Sequence, residues 1–181
     1  MDPRDAVMLA LQAEGGEPLR GRTLLQKKLY FASVLAGEDL GFQPHYYGPY
    51  SQAVADAVNS LVSGGLVGET IETFPSEPNV FGEWRRHSYS LTEDGARVVE
   101  ASSKTVELTK WREALEKVDS HEVAKDFNLL SVAAKTHLIL SHLRRATADE
   151  ITRQAEEFGW KMSPSDIARV HEYLKHLGLI E

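Results

Sequence analysis

The chain has 181 residues, 42% hydrophobic and 26% charged, a balance that supports one folded domain or two small ones and excludes wholesale disorder. It has no cysteine, which excludes disulfides, thiolate metal ligands and cysteine nucleophiles. With 20 basic against 27 acidic side chains the formal charge is −7, so the average field repels phosphates and disfavours a broad nucleic-acid surface.

The acidic surplus is uneven. Residues 1–100 carry 8 basic and 14 acidic side chains and residues 101–181 carry 12 and 13, so a basic patch is expected in the second half. The opening "MDPRDAVMLALQ" has an apolar run too short for a signal peptide or a membrane span, and no spanning apolar window follows. A cytoplasmic chain with no membrane partner is expected.

In chain order, Asp2 before Pro3 reads as an N-cap and N1 pair opening a helix to about Gln12, closed by Gly15, Gly16 and Pro18. "TLLQKKLYFASVLAG" predicts a second helix from about Thr23, with Leu25, Leu29 and Leu35 on its apolar stripe. The prolines of "FQPHYYGPYS" force an extended or turn-like connection, and Ser51 caps a third helix carrying Val54, Ala57, Val58, Leu61 and Val62. Residues 66–73 and 84–91 alternate as strands do and pair as a hairpin, with "PSEPNVFGE" between them demanding a loop.

Three helices followed by a hairpin is the winged-helix order, because the ribbon closes a core that three short helices leave open. Thr92 is placed to cap a further helix, "LTEDGARVVE", which breaks near residues 101–105 and continues into "VELTKWREALEKV". The second half repeats a helical plan. "SVAAKTHLILSHL" starts at Ser131, Thr147 with Glu150 forms a capping box, Ser163 and Pro164 open the last helix, and Gly178 with Leu179 closes it. The fold class expected is α+β, mostly α. A winged-helix-like N-terminal domain (1–100) is joined through a helix or linker (101–120) to a helical, helix-turn-helix-like C-terminal module (121–181).

The most distinctive stretch is "HYYGPYS", residues 45–51. Gly48 permits a turn, Pro49 stiffens it and Ser51 caps the third helix, with the tyrosine rings covering the core and their hydroxyls at its edge. The functional alternative is an interaction surface made by Tyr46, Tyr47 and Tyr50. Catalysis would need a perturbed tyrosine, and His45, the nearest base, has no carboxylate in the stretch to orient it. Lys27 and Lys28 read as solvated helix-face lysines or partner contacts, and Arg85 and Arg86 face opposite sides of a strand.

For nucleic acid, the third helix offers Gln52 and Asn59 but also Asp56 and no basic residue. The last helix is the better reader, with Ser165, Arg169, His171 and Lys175 against Asp166 and Glu172; Arg144, Arg145, Arg153 and Lys161 would contact phosphates. The pairs His137/His142 and His171/His176 are spaced five apart, which turns the second ring away from the first, so no metal is expected. No nucleotide loop, dinucleotide fingerprint or nucleophile elbow occurs, and no cofactor is expected.

Leu25, Gln26, Lys27, Leu29 and Tyr30, followed by Tyr47, Gly48, Pro49, Tyr50 and Ser51 and then "SYSLTEDG", form a pattern over residues 20–100 that resembles the YwgA-like family and, more distantly, the Panacea family of phage- and toxin–antitoxin-associated proteins. "YYGPYS" is closer to the YwgA side, and the long helical C-terminal part departs from a typical Panacea protein. The Panacea side of the resemblance implies neutralising toxin partners or acting as a proteolytic adaptor, the YwgA side implies no settled activity, and neither transfers catalytic residues.

The leading expectation is therefore a non-enzymatic protein-interaction or regulatory module. It would bind a protein partner or a second copy through Tyr46, Tyr47 and Tyr50, with Lys27, Lys28 and the joining helix near Trp111. The alternatives are a DNA-binding transcriptional regulator using the C-terminal module on double-stranded DNA, and an enzyme of unidentified class whose site assembles only in three dimensions.

Overall fold

Asp2 accepts a hydrogen bond from the Arg4 N–H at 2.8 Å and Pro3 follows it, which starts α1 (Pro3–Ala13) as expected. The computed structural model describes residues 1–75, 83–102, 106–143 and 145–181. After α1 a two-residue strand, β1 (Leu19–Arg20), precedes α2 (Arg22–Ala36) and α3 (Gln52–Ser63). β2 (Val67–Pro75) and β3 (Glu83–Leu91) pair antiparallel from Val67↔Leu91 to Pro75↔Glu83. β1 joins the other edge of β3 through Leu19↔Tyr89, giving a three-stranded antiparallel sheet in the order β1-β3-β2. The tip of the predicted loop, residues 76–82, lies outside the described residues.

Thr92 caps α4 (Glu93–Ser102), its hydroxyl accepting from the Gly95 N–H at 3.1 Å. α5 (Val106–Asp119) follows, and the predicted break at residues 103–105 lies outside the described residues. A 3-10 turn (Glu122–Lys125) leads into α6 (Phe127–Leu143), which starts four residues before Ser131 because the Asp126 carboxylate accepts from the N–H groups of Asn128 and Leu129. The predicted capping box of Thr147 with Glu150 opens α7 (Ala148–Glu157). The predicted Ser163–Pro164 cap opens α8 (Pro164–Leu177), and Asp166 completes a second capping box there. Gly178 then closes α8 in the left-handed conformation. The chain is thus α+β and mostly α, and no described helix is long and apolar enough to cross a membrane.

Two apolar clusters make the core. The first gathers side chains of α1, α2, α3, the sheet, α4 and α5; the second gathers α6, α7 and α8. α2 belongs to both, sending Leu25, Leu29 and Ala32 into the first and Tyr30 and Phe31 into the second. Every residue from Leu25 to Ser33 is consequently buried. α5 corrects one expectation. It packs along α1 and α2, and Trp111 is fully buried in the first cluster, so Trp111 is a core residue and offers no surface to a partner. Its indole N–H has no acceptor among the described residues.

The approach of α4 to the end of α3 depends on a missing side chain. A Cβ on Gly95 would overlap the Leu66 carbonyl oxygen, and backbone cannot rotate away as a side chain can. Gly95→Ala is expected to lower stability by at least about 2 kcal/mol, read as a lower urea midpoint at unchanged m value.

Candidate functional site

α2 carries three consecutive polar residues, Gln26, Lys27 and Lys28, all buried. Each has a defined partner. The Gln26 side-chain amide donates to the Ser51 carbonyl at 3.0 Å while its oxygen accepts from the Ser51 N–H at 2.9 Å, as a neighbouring strand would. Lys27 Nζ donates to the Pro49 carbonyl at 2.6 Å. Lys28 Nζ pairs with Glu14, the residue that caps the end of α1, and lies 3.0 Å from Asp119 of α5. Burial alone would lower the Lys28 pKa, but the two carboxylates outweigh it and raise the pKa.

The segment that Gln26 and Lys27 hold is a small hairpin. Gln43 and Tyr50 exchange both backbone hydrogen bonds at 2.9 Å, and the His45 and Gly48 backbones close the tip with bonds of 3.2 and 2.8 Å. A third tie comes from the C-terminal half, where Trp160 Nε1 donates to the His45 carbonyl at 2.7 Å. Gly48 is required twice over. Its φ is +98°, and a Cβ there would sit 3.0 Å from Lys135 Cγ and 3.2 Å from Lys27 Cε. Ser51 caps α3, its hydroxyl accepting from the Val54 N–H at 3.2 Å.

Tyr46 and Tyr47 occupy the two central positions of the tip. They are 69% and 58% exposed, and their rings meet edge to face at 4.9 Å. The expectation that these rings cover the core therefore fails for both. Tyr50 is half-buried, its ring 4.9 Å from the exposed His45.

Beneath the hairpin a cavity of about 200 Å³ lies between α2 and α3, lined by Arg22, Gln26, Lys27, His45, Tyr47 and Tyr50 among others. Arg22 is fixed at the sheet side, where Nε donates to the Tyr89 hydroxyl at 2.6 Å and Nη2 lies 3.1 Å from Glu69 Oε1. The same Glu69 oxygen accepts from Tyr89 at 2.8 Å and lies 2.7 Å from His87 Nδ1. Burial pushes the Tyr89 hydroxyl up to about 12, so it stays a hydrogen-bond donor.

The basic residues of the second half do not converge on this cavity. Arg145, Arg153, Lys161, Arg169 and Lys175 are exposed, and Arg144 lies outside the described residues. Arg145 lies 3.4 Å from Glu181, Arg153 acts on Glu150 and Arg169 on Asp166, so acidic neighbours accompany three of the five. His137 points its Nδ1 at the Tyr30 hydroxyl, 2.7 Å away in the interior, and burial depresses its pKa to about 4. His142 Nδ1 lies 2.8 Å from the Leu138 carbonyl, so the two rings have separate partners.

The sequence reading places Lys27 and Lys28 on a solvated or partner-facing surface, and the structure corrects it. Both are interior groups, because α2 is covered on both sides. Gln26, Lys135 and Trp160 went unrecognised as supports of the hairpin. The available signal was three adjacent polar residues inside an otherwise apolar helix. No protein-family model matches this chain, and no curated protein matches it.

The Lys27 pKa falls from 10.5 to about 7, first through burial and then through the nearby Lys135 ammonium. Between those pH values the unfolded chain holds a proton that the folded chain has lost, so stability contributed at this position rises with pH. Wild type is expected to gain stability relative to Lys27→Met as pH rises from about 7 toward 10.5, with a constant difference below about 7. Urea unfolding of both proteins across this range checks it; a difference independent of pH throughout contradicts the assigned burial.

Proposed function

We propose that the chain is a non-enzymatic protein-interaction module whose contact point is the hairpin tip. The observation that carries this reading is the pairing of exposure with fixation. Tyr46 and Tyr47 are open to solvent, while the backbone below them is tied by Gln26, Lys27 and Trp160. Large amphipathic rings held in place lose little conformational entropy on binding, and such rings dominate the energetics of many interfaces. His45 supports a non-catalytic reading, since it is exposed and has a ring contact with Tyr50 where a general base would need an orienting carboxylate.

The order α1-β1-α2-α3-β2-β3, with the sheet ordered β1-β3-β2, supports reading residues 1–100 as winged-helix-like, and α7 with α8 as a helix-turn-helix-like pair. In a winged helix used for DNA, α3 would be the reading helix. Here it presents Gln52, Asp56 and Asn59 with no cation, which favours a protein surface. The resemblance to YwgA-like and Panacea proteins agrees with partner binding, because the two halves of the shared pattern, Leu25–Tyr30 and Tyr47–Ser51, hold the two sides of the hairpin clamp. Double-stranded DNA as partner stands second. It draws on the exposed Arg169 and Lys175 of α8, but the acidic neighbours of Arg145, Arg153 and Arg169 weaken a phosphate-binding field.

Immobilised wild type and a Tyr46→Ala/Tyr47→Ala variant, exposed to native lysate, test the reading. The variant is expected to unfold within about 0.5 kcal/mol of wild type, since both rings are exposed, and to bind the recovered protein at least tenfold more weakly, about 1.4 kcal/mol. Sedimentation of each protein alone separates self-association from a different partner. Equal retention by both proteins overturns the assignment.

A further inference from the structure

Lys27 and Lys28 are adjacent, both buried, and oppositely provided for. Lys28 has two carboxylates, Glu14 and Asp119. Lys27 is 2% exposed, and its Nζ, which carries three donors when charged, makes one hydrogen bond, to the neutral Pro49 carbonyl. Among the described residues no carboxylate pairs with it. Lys135, close enough to act on it, has no carboxylate among them either and sits 5.7 Å from the centre of the Trp160 ring. A buried ammonium without an anion is expensive to maintain, and its neighbour shows that the same helix supplies carboxylates where a permanent pair is wanted.

Lys27 also lines the 200 Å³ cavity, and the lining has a definite character. It contains two cationic residues, Arg22 and Lys27, and no acidic one among the described residues, in a chain whose formal charge is −7. Arg22 is balanced by Glu69, so the uncompensated positive charge belongs to Lys27. One wall is formed by the rings of His45, Tyr47 and Tyr50, and the α3 side brings the apolar Val54, Ala55 and Val58 together with Gln52 and Asn59. Such a mixture of apolar walls and a few polar groups is the usual make-up of a small-molecule site. A volume of about 200 Å³ equals roughly seven waters at about 30 Å³ each, which suits an organic molecule of on the order of ten non-hydrogen atoms.

We propose that this cavity binds a small, flat organic acid, its carboxylate paired with Lys27 and its plane against the ring wall. Tyr47 lines the cavity and also belongs to the contact tip, but the site turns on Lys27, which the protein-binding reading does not use as a contact, so benzoate titration decides it apart from that reading. Bound acid would neutralise the buried cation that the described residues leave without an anion. Lys27 would then hold its proton more tightly, because a carboxylate beside it favours the charged form.

The test uses benzoate as probe, with benzamide as its neutral counterpart and propionate as the bare carboxylate that a glutamate side chain of a protein partner would present. Two-dimensional amide NMR of the wild-type chain follows each titration. Saturable benzoate shifts are expected at Gln52, Ala55 and Asn59, with benzamide and propionate at least about tenfold weaker, and Lys27→Met losing at least about tenfold in benzoate affinity. Equal binding of benzamide removes the carboxylate requirement, and equal binding of propionate removes the flat acid. Shifts away from the cavity, no saturable binding below about 10 mM, or unchanged affinity in folded Lys27→Met each overturn the site. Should Lys27→Met fail to fold, the wild-type titrations alone decide.

Discussion

A helix buried along its whole girth can hold polar side chains only if each finds a partner, and α2 holds three in a row. Leaving a buried donor or acceptor unpaired costs about 1–3 kcal/mol, and more for a charge, so the surroundings of Gln26, Lys27 and Lys28 are not free to vary. Lys28 ties α2 to α1 through Glu14 and to α5 through Asp119. Gln26 and Lys27 face the opposite requirement, the backbone of a loop, and hold it where a sheet neighbour would be. Because Tyr30 and Phe31 enter the second apolar cluster from the same helix, as Val118 does from α5, these two helices join the two halves of the chain.

The proposed function rests on a division within seven residues. The carbonyls of His45, Pro49 and Ser51 face inward to Trp160, Lys27 and Gln26. The side chains of Tyr46 and Tyr47 are largely exposed, with Tyr47 also lining the cavity. A loop fixed from below presents its rings already in position, so a partner need not order them. The same fixation leaves a space under the loop, and that space carries a buried ammonium without an anion among the described residues. Contact chemistry on the outside and charge on the inside thus arise from one pair of side chains.

Much of the helical plan was legible because caps are local chemistry. Asp2–Pro3, Thr147–Glu150, Ser163–Pro164 and Gly178 each mark or satisfy a helix end within a few residues, so sequence spacing suffices. β1 was not legible: two residues have no periodicity, and Leu19 is a strand residue only because Tyr89 lies opposite. Trp111 misled because a lone tryptophan in a charged helix looks like an anchor on a surface, yet α5 packs against both α1 and α2 and buries it. Lys27 and Lys28 misled for a related reason. Helical patterning assumes one wet face, and α2 has none between Leu25 and Ser33. The hairpin's turn chemistry could be read at Gly48, Pro49 and Ser51, whereas its anchoring to Gln26 and Trp160 spans 25 and 115 residues, beyond any local rule.

The central claim is that Gln26 holds the hairpin against α2, and hydrogen exchange at the Ser51 amide tests it most directly. That N–H donates to Gln26 Oε1 and to no other group among the described residues. In Gln26→Leu, which keeps the helix and removes the acceptor, Ser51 is expected to exchange at least about tenfold faster while the amides of α2 keep their protection. Unchanged protection at Ser51 in the folded variant would contradict the account.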